Sequence, residues 1–226
     1  MRAATPASSR TGRLIPRAMN TPIRIDTTTT RSGMIGQAAW TAKVPANWNG
    51  TLLLWNHGIR TSVDPNRAAE WAPKGTDGDT TDTLLAKGYA LVGSSYSSNG
   101  FAVRDAVNDD VALLAEFTKR FRKPTRTYVW GASLGGLVTE TLAEEHPDLV
   151  DGAAPACGVL AGAVPIGDQT LDTLVMARTF FAPTLKVGGY ASDAEALAAV
   201  ETLKTAVTTA LSDPATQTGA VGRLLG

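Results

Sequence analysis

A serine between glycines follows an apolar run in the stretch YVWGASLGGL, residues 128–137. Gly131, Ser133 and Gly135 match the pattern G-x-S-x-G, in which the serine hydroxyl attacks acyl groups as a nucleophile. The residues before the serine are β-branched and aromatic, and those after it favour a helix. We therefore expect Ser133 at a sharp strand-to-helix turn, above the carboxyl edge of a sheet.

The two glycines of this pattern have a steric reason. In so tight a turn, a Cβ on Gly131 or Gly135 would collide with the neighbouring strand or helix. The helix that starts here also directs its free N–H groups, and the positive end of its dipole, toward an oxygen anion. The alternative is that Ser133 only caps the helix with its hydroxyl. The strand, turn and helix context favours the nucleophile.

A second segment, LLLWNHG, ends an earlier strand with Asn56, His57 and Gly58. In a doubly wound sheet the loop after this strand lies beside the serine turn. The backbone N–H groups of Gly58 and Ile59, together with that of Leu134, are candidates for an oxyanion hole. His57 is expected to support this loop through hydrogen bonds, and the alternative is that it acts as a general base.

Strand and helix patterns alternate through the first two thirds of the chain. Strands are predicted in PIRIDTTTT, QAAWTAKVP, TLLLWNHG, GYALVGSSYS, RTYVW and GAAPACG, and helices over residues 80–86, 103–121 and 137–145. Pro124 and Pro147 follow two of these helices and end them. This order predicts right-handed crossovers and a largely parallel sheet covered on both faces.

Composition excludes several classes of protein. The chain has 226 residues, 43% of them hydrophobic and 19% charged, and its formal net charge is zero. Such a chain is typical of a soluble globular protein and has no excess of basic residues for nucleic acid. We expect no membrane span, because glycine, serine or asparagine interrupts every apolar run. The oligomeric state cannot be read from these residues.

The lone cysteine and the N-terminal segment say little about location. Cys157 is the only cysteine, so an internal disulfide is impossible, and we expect its thiol to pack in the core. Residues 1–24 contain arginines and no acidic residue, and they are typical of a flexible tail. This tail lacks an apolar signal segment but could follow a removed one, which favours a secreted protein.

Taken together, LLLWNHG, GYALVGSSYS and YVWGASLGGLVTETLAEEHPDLVDG resemble the α/β-hydrolase superfamily, particularly serine esterases and related acyl hydrolases. The resemblance covers roughly residues 51–158. It implies Ser133 as the nucleophile of a nucleophile elbow, and Leu134 with the loop after His57 as oxyanion donors. It also implies a chain order of serine, acid and histidine, and a small-molecule ester as substrate.

Beyond about Gly162 the strand patterns stop, and helices are predicted over residues 171–181 and 192–211. Ser192 and Glu195 form a capping-box pattern at the start of the second helix. We divide the chain into the tail (1–24), the first part of an α/β-hydrolase core (25–165) and an incomplete helical cap (166–226). The fold class is therefore α/β, with a mostly parallel doubly wound sheet, the beginning of a helical cap and its C-terminal strands missing.

The histidines depart from the family pattern, because the sequence contains only His57 and His146. His146 lies at the far end of the helix that begins at Ser133, about 20 Å away at ~1.5 Å rise per residue, and is expected to end that helix. Asp168 and Asp172 could serve as the acid of a triad, but without a partner histidine we expect them to cap a helix. The sequence therefore predicts the N-terminal part of a longer hydrolase, or a truncated product, lacking its base and acid.

Two other classes of function remain open at this point. GASLGG resembles a dinucleotide fingerprint, but Ser133 occupies the second glycine position, and Asp151 precedes its strand instead of ending it. A non-catalytic binding module on a hydrolase scaffold is the other alternative, and the missing histidine is the argument for it. We expect no metal or cofactor, because two distant histidines and one cysteine provide no zinc ligand set.

Overall fold

A computed structural model describes residues 28–61, 69–70 and 78–212. The described elements are β1 (Thr29–Ile35), β2 (Ala38–Val44), β3 (Thr51–Asn56), α1 (Gly78–Ala86), β4 (Ala90–Ser94), α2 (Val103–Arg120), β5 (Arg126–Ala132), α3 (Leu134–Glu145), β6 (Gly152–Ala156), α4 (Ala163–Phe180) and α5 (Asp193–Ser212). The predicted tail (1–24), the start of the first predicted strand and the last residues of the predicted cap lie outside the described residues.

The strands form one mixed sheet in the order β1-β2-β4-β3-β5-β6. Strand β2 runs antiparallel to both of its neighbours, β1 and β4. The pairs β3–β4, β3–β5 and β5–β6 are parallel. The sheet is therefore mostly parallel, as predicted from the alternation of strands and helices.

The sequence patterns explain which faces are buried. Helix α2 turns its apolar face inward, and α3 packs beside it on the same face of the sheet. Five strands or helices contribute most of the aliphatic side chains of the resulting core, together with Phe117: Leu52, Leu54, Val92, Leu113, Val129, Val138 and Leu142. This core fixes the ends of β3 and β5 side by side, which is where the candidate chemistry lies.

The second face of the sheet differs from the prediction that both faces are covered. In the described part of the chain, α1 is the helix that packs there, and its Leu84 lines an open apolar cavity with Tyr128 and Trp130. The exposed fraction of Tyr128 is 37%. The order of strands and helices in the sequence determines on which side of the sheet each crossover helix lies. It does not determine how much of that side the helix covers.

The helices beyond β6 also differ in extent from the sequence prediction. Helix α4 begins at Ala163, earlier than the predicted residue 171, and its N-cap is Gly162. Asp168 and Asp172 therefore lie inside α4 with exposed side chains, and the prediction that they cap a helix is wrong. At α5, the predicted cap is present, because the Glu195 N–H donates to Ser192 Oγ at 3.2 Å. No helix in the described ranges has the length and apolar character to cross a bilayer.

The prediction for Cys157 is also wrong, since the structure places this residue on the surface. It follows β6 directly and has a φ of 49°. A left-handed residue after an edge strand turns the chain outward, so the thiol leaves the sheet instead of entering the core.

One carboxyl group in the core has no partner among the described residues. Asp110 lies on the inward face of α2 with 0% exposure, and neither of its carboxyl oxygens has a hydrogen-bond partner there. Burial raises its pKa well above the ordinary value, and the nearby charge of Asp109 acts in the same direction. The folded state therefore favours the protonated, neutral carboxyl.

We expect the substitution Asp110→Asn to stabilise the chain relative to the unaltered protein increasingly as the pH rises. With the folded pKa above the unfolded one, the folded chain loses stability as the pH rises from about 4 through the folded pKa, because the unfolded state releases this proton more readily. The amide does not titrate. The free energy of unfolding of the variant, relative to that of the unaltered chain, should therefore increase by more than about 1 kcal/mol between pH 5 and pH 8. Urea unfolding at both pH values measures it.

The surface substitution Asp148→Asn serves as the control for removal of one carboxylate. Asp148 is exposed in the loop after α3. A difference between Asp110→Asn and the unaltered chain that stays constant from pH 5 to pH 8 would contradict a neutral Asp110.

Candidate active site

Ser133 is the single residue between β5 and α3, and its backbone has a conformation that L-residues rarely adopt. Its φ is 58° and its ψ is −124°, and its hydroxyl makes no hydrogen bond that caps α3. The turn is held by backbone hydrogen bonds, since Ser133 N–H donates to the Ala156 carbonyl at 3.0 Å and Ser133 O accepts from Gly136 N–H at 2.9 Å. The side chain is exposed. The alternative in which the hydroxyl caps the helix is therefore not what the structure shows.

Three glycines allow this turn to pack against the rest of the sheet. A Cβ on Gly135 would overlap the carbonyl oxygen of Asn56 and would lie 2.6 Å from that of His57. A Cβ on Gly131 would overlap the carbonyl oxygen of Gly135 and approach Asn56 Cβ to 2.7 Å. Gly136, which the sequence motif does not include, leaves the same kind of space, because a Cβ there would lie 2.8 Å from the Gly158 Cα.

The loop after β3, residues 57–59, lies directly beside Ser133. Strands β3 and β5 are parallel neighbours in a register that pairs Asn56 with Gly131, so their carboxyl ends reach the same level. A Cβ placed on Gly58 would be 3.6 Å from Ser133 Cβ. The sequence-predicted neighbours Gly58 and Ser133 are thus brought close together.

Three backbone N–H groups around this point donate to no group in the described residues. They belong to Leu134, the first residue of α3, and to Gly58 and Ile59 in the loop after β3. The α3 N-terminus adds its positive dipole end at the same place. Unpaired donors beside an exposed hydroxyl can receive negative charge on an oxygen bound there.

His57 faces inward and supports the loop. Its side chain is 4% exposed, its ring stacks on Tyr96 with centroids 3.9 Å apart, and its Nδ1 donates to the Gly58 carbonyl at 2.6 Å. Burial lowers the pKa of His57, while the hydrogen bond to Gly58 acts in the opposite direction. The ring is therefore a neutral donor with the proton on Nδ1, and no hydrogen bond joins it to Ser133.

His146 is far from this arrangement, as the sequence predicts. It forms the C-cap of α3, where its N–H donates to the Leu142 carbonyl at 3.0 Å and its own carbonyl accepts from Leu149 N–H at 2.9 Å. These contacts end the helix and turn the chain toward β6.

The carboxylates named from sequence stay away from the serine turn. Asp168 and Asp172 are exposed on α4. Asp151 precedes β6, where its Oδ2 accepts the Thr127 N–H at 2.7 Å, so it serves the end of the sheet opposite to Ser133. Among the described residues, no three His, Cys, Asp or Glu side chains come together as a group that could hold a metal ion.

Sequence reasoning missed Tyr96. This residue follows β4, is 1% exposed, and donates from its hydroxyl to the His57 carbonyl at 3.3 Å. Its φ is 57°. Tyrosine is not a residue that favours the left-handed region, so residue type alone does not predict this φ.

Comparison with known proteins gives a family and a set of solved structures. The model of a family described as Tannase-like family of unknown function (DUF6351) matches residues 23–220. No curated protein sequence matches.

The structure is similar to several solved ones. An acetyl xylan esterase from Aspergillus awamori is 16% identical with a TM-score of 0.45, and the match covers 58% of this chain and 52% of that one. A proline iminopeptidase from Mycobacterium smegmatis is 15% identical with a TM-score of 0.42, and the match covers 65% of this chain and 48% of that one. An esterase from Aspergillus oryzae is 20% identical with a TM-score of 0.45, and the match covers 69% of this chain and 30% of that one. The chain thus spans about half or less of the length of these structures.

We expect Gly131→Ala to destabilise the chain by about 3 kcal/mol or more, because the new methyl group meets backbone that cannot move without shifting β3 or α3. Gly167→Ala is the matched control, since Gly167 lies inside α4 and a Cβ there meets nothing within 4 Å. That substitution should stabilise the chain by up to about 1 kcal/mol. Urea unfolding measures both, and equal stability of the two variants would contradict the close packing at Gly131.

Proposed function

The chain belongs to the Tannase-like family of unknown function (DUF6351), and we propose that it is a serine hydrolase that cleaves carboxylic esters through an acyl-enzyme at Ser133. One observation carries this proposal: the exposed Ser133 hydroxyl stands beside the N–H groups of Leu134, Gly58 and Ile59, which donate to no group in the described residues. A nucleophile and an anion site at one point are what acyl transfer needs.

The proposed reaction proceeds in two steps. Ser133 Oγ adds to the ester carbonyl carbon, and the carbonyl oxygen becomes an anion that accepts hydrogen bonds from the N–H groups of Leu134 and the 57–59 loop. The C–O bond to the alcohol then breaks, and the alcohol leaves with the proton that Ser133 gave up. Water adds to the acyl-enzyme in the same way and releases the acid, which restores the Ser133 hydroxyl.

The backbone of Ser133 supports this role. A non-glycine residue at φ 58° costs about 1–3 kcal/mol, and such strain persists only where the surroundings impose it. The packing of Gly131 and Gly135 imposes it here, and the result is a hydroxyl lifted off the helix it would otherwise cap. The helix N-terminus stays free to bind a substrate oxygen.

The group that accepts the Ser133 proton is neither of the two histidines in the sequence. His57 donates its Nδ1 proton to the Gly58 carbonyl and makes no hydrogen bond to the Ser133 hydroxyl, and His146 ends α3. The proposal therefore requires a base, with its acid partner, other than these two side chains. This chain by itself therefore holds the nucleophile and the anion site, with the weak catalysis that an oxyanion hole alone provides.

The same geometry supports the proposed substrate class. A carbonyl carbon open to attack by Ser133 and a carbonyl oxygen beside the N–H groups fit a small-molecule ester. The zero net charge gives no electrostatic reason for nucleic acid as a partner.

The experiment measures hydrolysis of p-nitrophenyl acetate by the chain in increasing concentrations of imidazole. Free imidazole can enter at an exposed serine and accept its proton, so we expect the Ser133-dependent rate to rise by about tenfold or more, which is part of what a built-in general base provides. Ser133→Ala should remove both the basal and the imidazole-dependent rate above solution background.

Ser32→Ala is the control, because Ser32 is an exposed serine on β1, at the opposite edge of the sheet from β6. It should leave both rates unchanged. Equal rates for the unaltered chain and Ser133→Ala at every imidazole concentration would refute acyl transfer at Ser133. That result would favour a non-catalytic binding module on this scaffold.

A further inference from the structure

The tyrosine behind the 57–59 loop holds an unusual position. Tyr96 is almost completely buried, with 1% of its surface exposed. It donates to the backbone carbonyl of His57, and its ring stacks on the His57 imidazole at an interplanar angle of 28°. One side chain therefore contacts both the backbone and the side chain of the same loop residue.

A network of serine hydroxyl groups fixes Tyr96 in its left-handed conformation. Ser94 Oγ accepts the Tyr96 N–H at 3.0 Å, and Ser95 Oγ donates to the Tyr96 carbonyl at 3.1 Å. Ser95 is itself tied to β2, because its N–H donates to the Ala39 carbonyl at 2.8 Å. The φ of 57° at Tyr96 is thus imposed by its surroundings, and it directs the ring toward β3.

The hydrogen bond from Tyr96 fixes one peptide plane of the loop. In a planar trans peptide the C=O and the following N–H point in opposite directions. The His57 carbonyl oxygen is held between the Tyr96 hydroxyl, at 3.3 Å, and Gly135, where a Cβ would lie 2.6 Å from it. Since that oxygen has a fixed direction, the N–H of Gly58 is fixed in the opposite one.

The stacked imidazole fixes the next plane. His57 Nδ1 donates to the Gly58 carbonyl at 2.6 Å, so the N–H of Ile59 points away from the His57 ring. The His57 ring is held in this position because it stacks on the Tyr96 ring, with the two centroids 3.9 Å apart. Both N–H groups assigned to the loop side of the oxyanion hole therefore depend on Tyr96, one through its hydroxyl and one through its ring.

We propose that Tyr96 is a positioning residue that aims the Gly58 and Ile59 N–H groups at the substrate oxygen. This inference rests on the proposed function, since it assigns Tyr96 to the anion site of the same reaction. The two parts of Tyr96 have different roles. Its hydroxyl orients the Gly58 N–H, and its aromatic ring holds His57 in place and so orients the Ile59 N–H. Tyr96 does not touch substrate.

Tyr96→Phe tests the first role, because it removes the hydroxyl and keeps the ring. Tyr128→Phe is the matched control, the same deletion on a partly exposed tyrosine of β5. The first measurement is the NMR order parameter of the Gly58 N–H in the unligated chain. We expect about 0.85 in the unaltered chain and in Tyr128→Phe, and a fall below about 0.6 in Tyr96→Phe with the Ile59 N–H less affected.

The second measurement is the imidazole-assisted hydrolysis of p-nitrophenyl acetate. We expect Tyr96→Phe to lower kcat by about 10- to 100-fold with KM nearly unchanged, because a misdirected donor weakens binding of the anion that forms in the transition state. A general loss of folding would instead lower the amount of active protein, which urea unfolding of each variant measures.

The outcomes separate this inference from the proposed function. A Gly58 order parameter below about 0.6 in the unaltered chain, or one that Tyr96→Phe leaves unchanged, overturns the role of Tyr96 whatever the activity. Mobility of Gly58 with an unchanged kcat overturns it as well. If the unaltered chain shows no Ser133-dependent hydrolysis, the proposed function fails, and the order parameters still decide whether Tyr96 orients the loop.

Discussion

The site depends on the contact between the start of α3 and the end of β3. Gly135 lies so close to the carbonyl oxygens of Asn56 and His57 that no side chain fits between them. This contact brings the helix N-terminus, the strained serine and the loop after β3 to one place. The core beneath it, from Leu54 to Val138, holds the two elements at that distance. A displacement of either element by about the width of a methyl group would separate the Ser133 hydroxyl from the N–H groups of Gly58 and Ile59.

The features that local sequence patterns determine could be predicted. Strands such as LLLW and RTYVW and the apolar stripe of α2 follow from the periodicity of their side chains, and the structure contains them. The steric role of Gly131 and Gly135 also follows from a known motif. The start of α4 was predicted too late because Pro165 and Gly167 lower helix propensity without preventing a helix, and this error placed Asp168 and Asp172 at a cap that does not exist.

The features that depend on contacts between distant segments could not be predicted. Tyr96, the unpartnered carboxyl of Asp110 and the exposed thiol of Cys157 are each defined by what lies across the fold, at residues far away in sequence. Gly136 belongs to the same group, since the reason for it is the approach of Gly158. One signal was present in the sequence: the run SSYS places three hydroxyl-bearing residues around a tyrosine at a strand end, where hydroxyl groups commonly bond to the backbone.

The position of His57 explains why a histidine next to a serine turn need not be its base. A base must present an unprotonated nitrogen to the serine hydroxyl and must gain a positive charge during the reaction. His57 is buried, which disfavours that charge, and its one proton already orients the Gly58 peptide. If His57 turned toward Ser133, the Gly58 carbonyl would lose its donor and the Ile59 N–H its direction. The unprotonated Nε2 of His57 is buried, and no hydrogen bond joins it to Ser133, so burial and position, not the use of Nδ1, keep this ring from acting as the base.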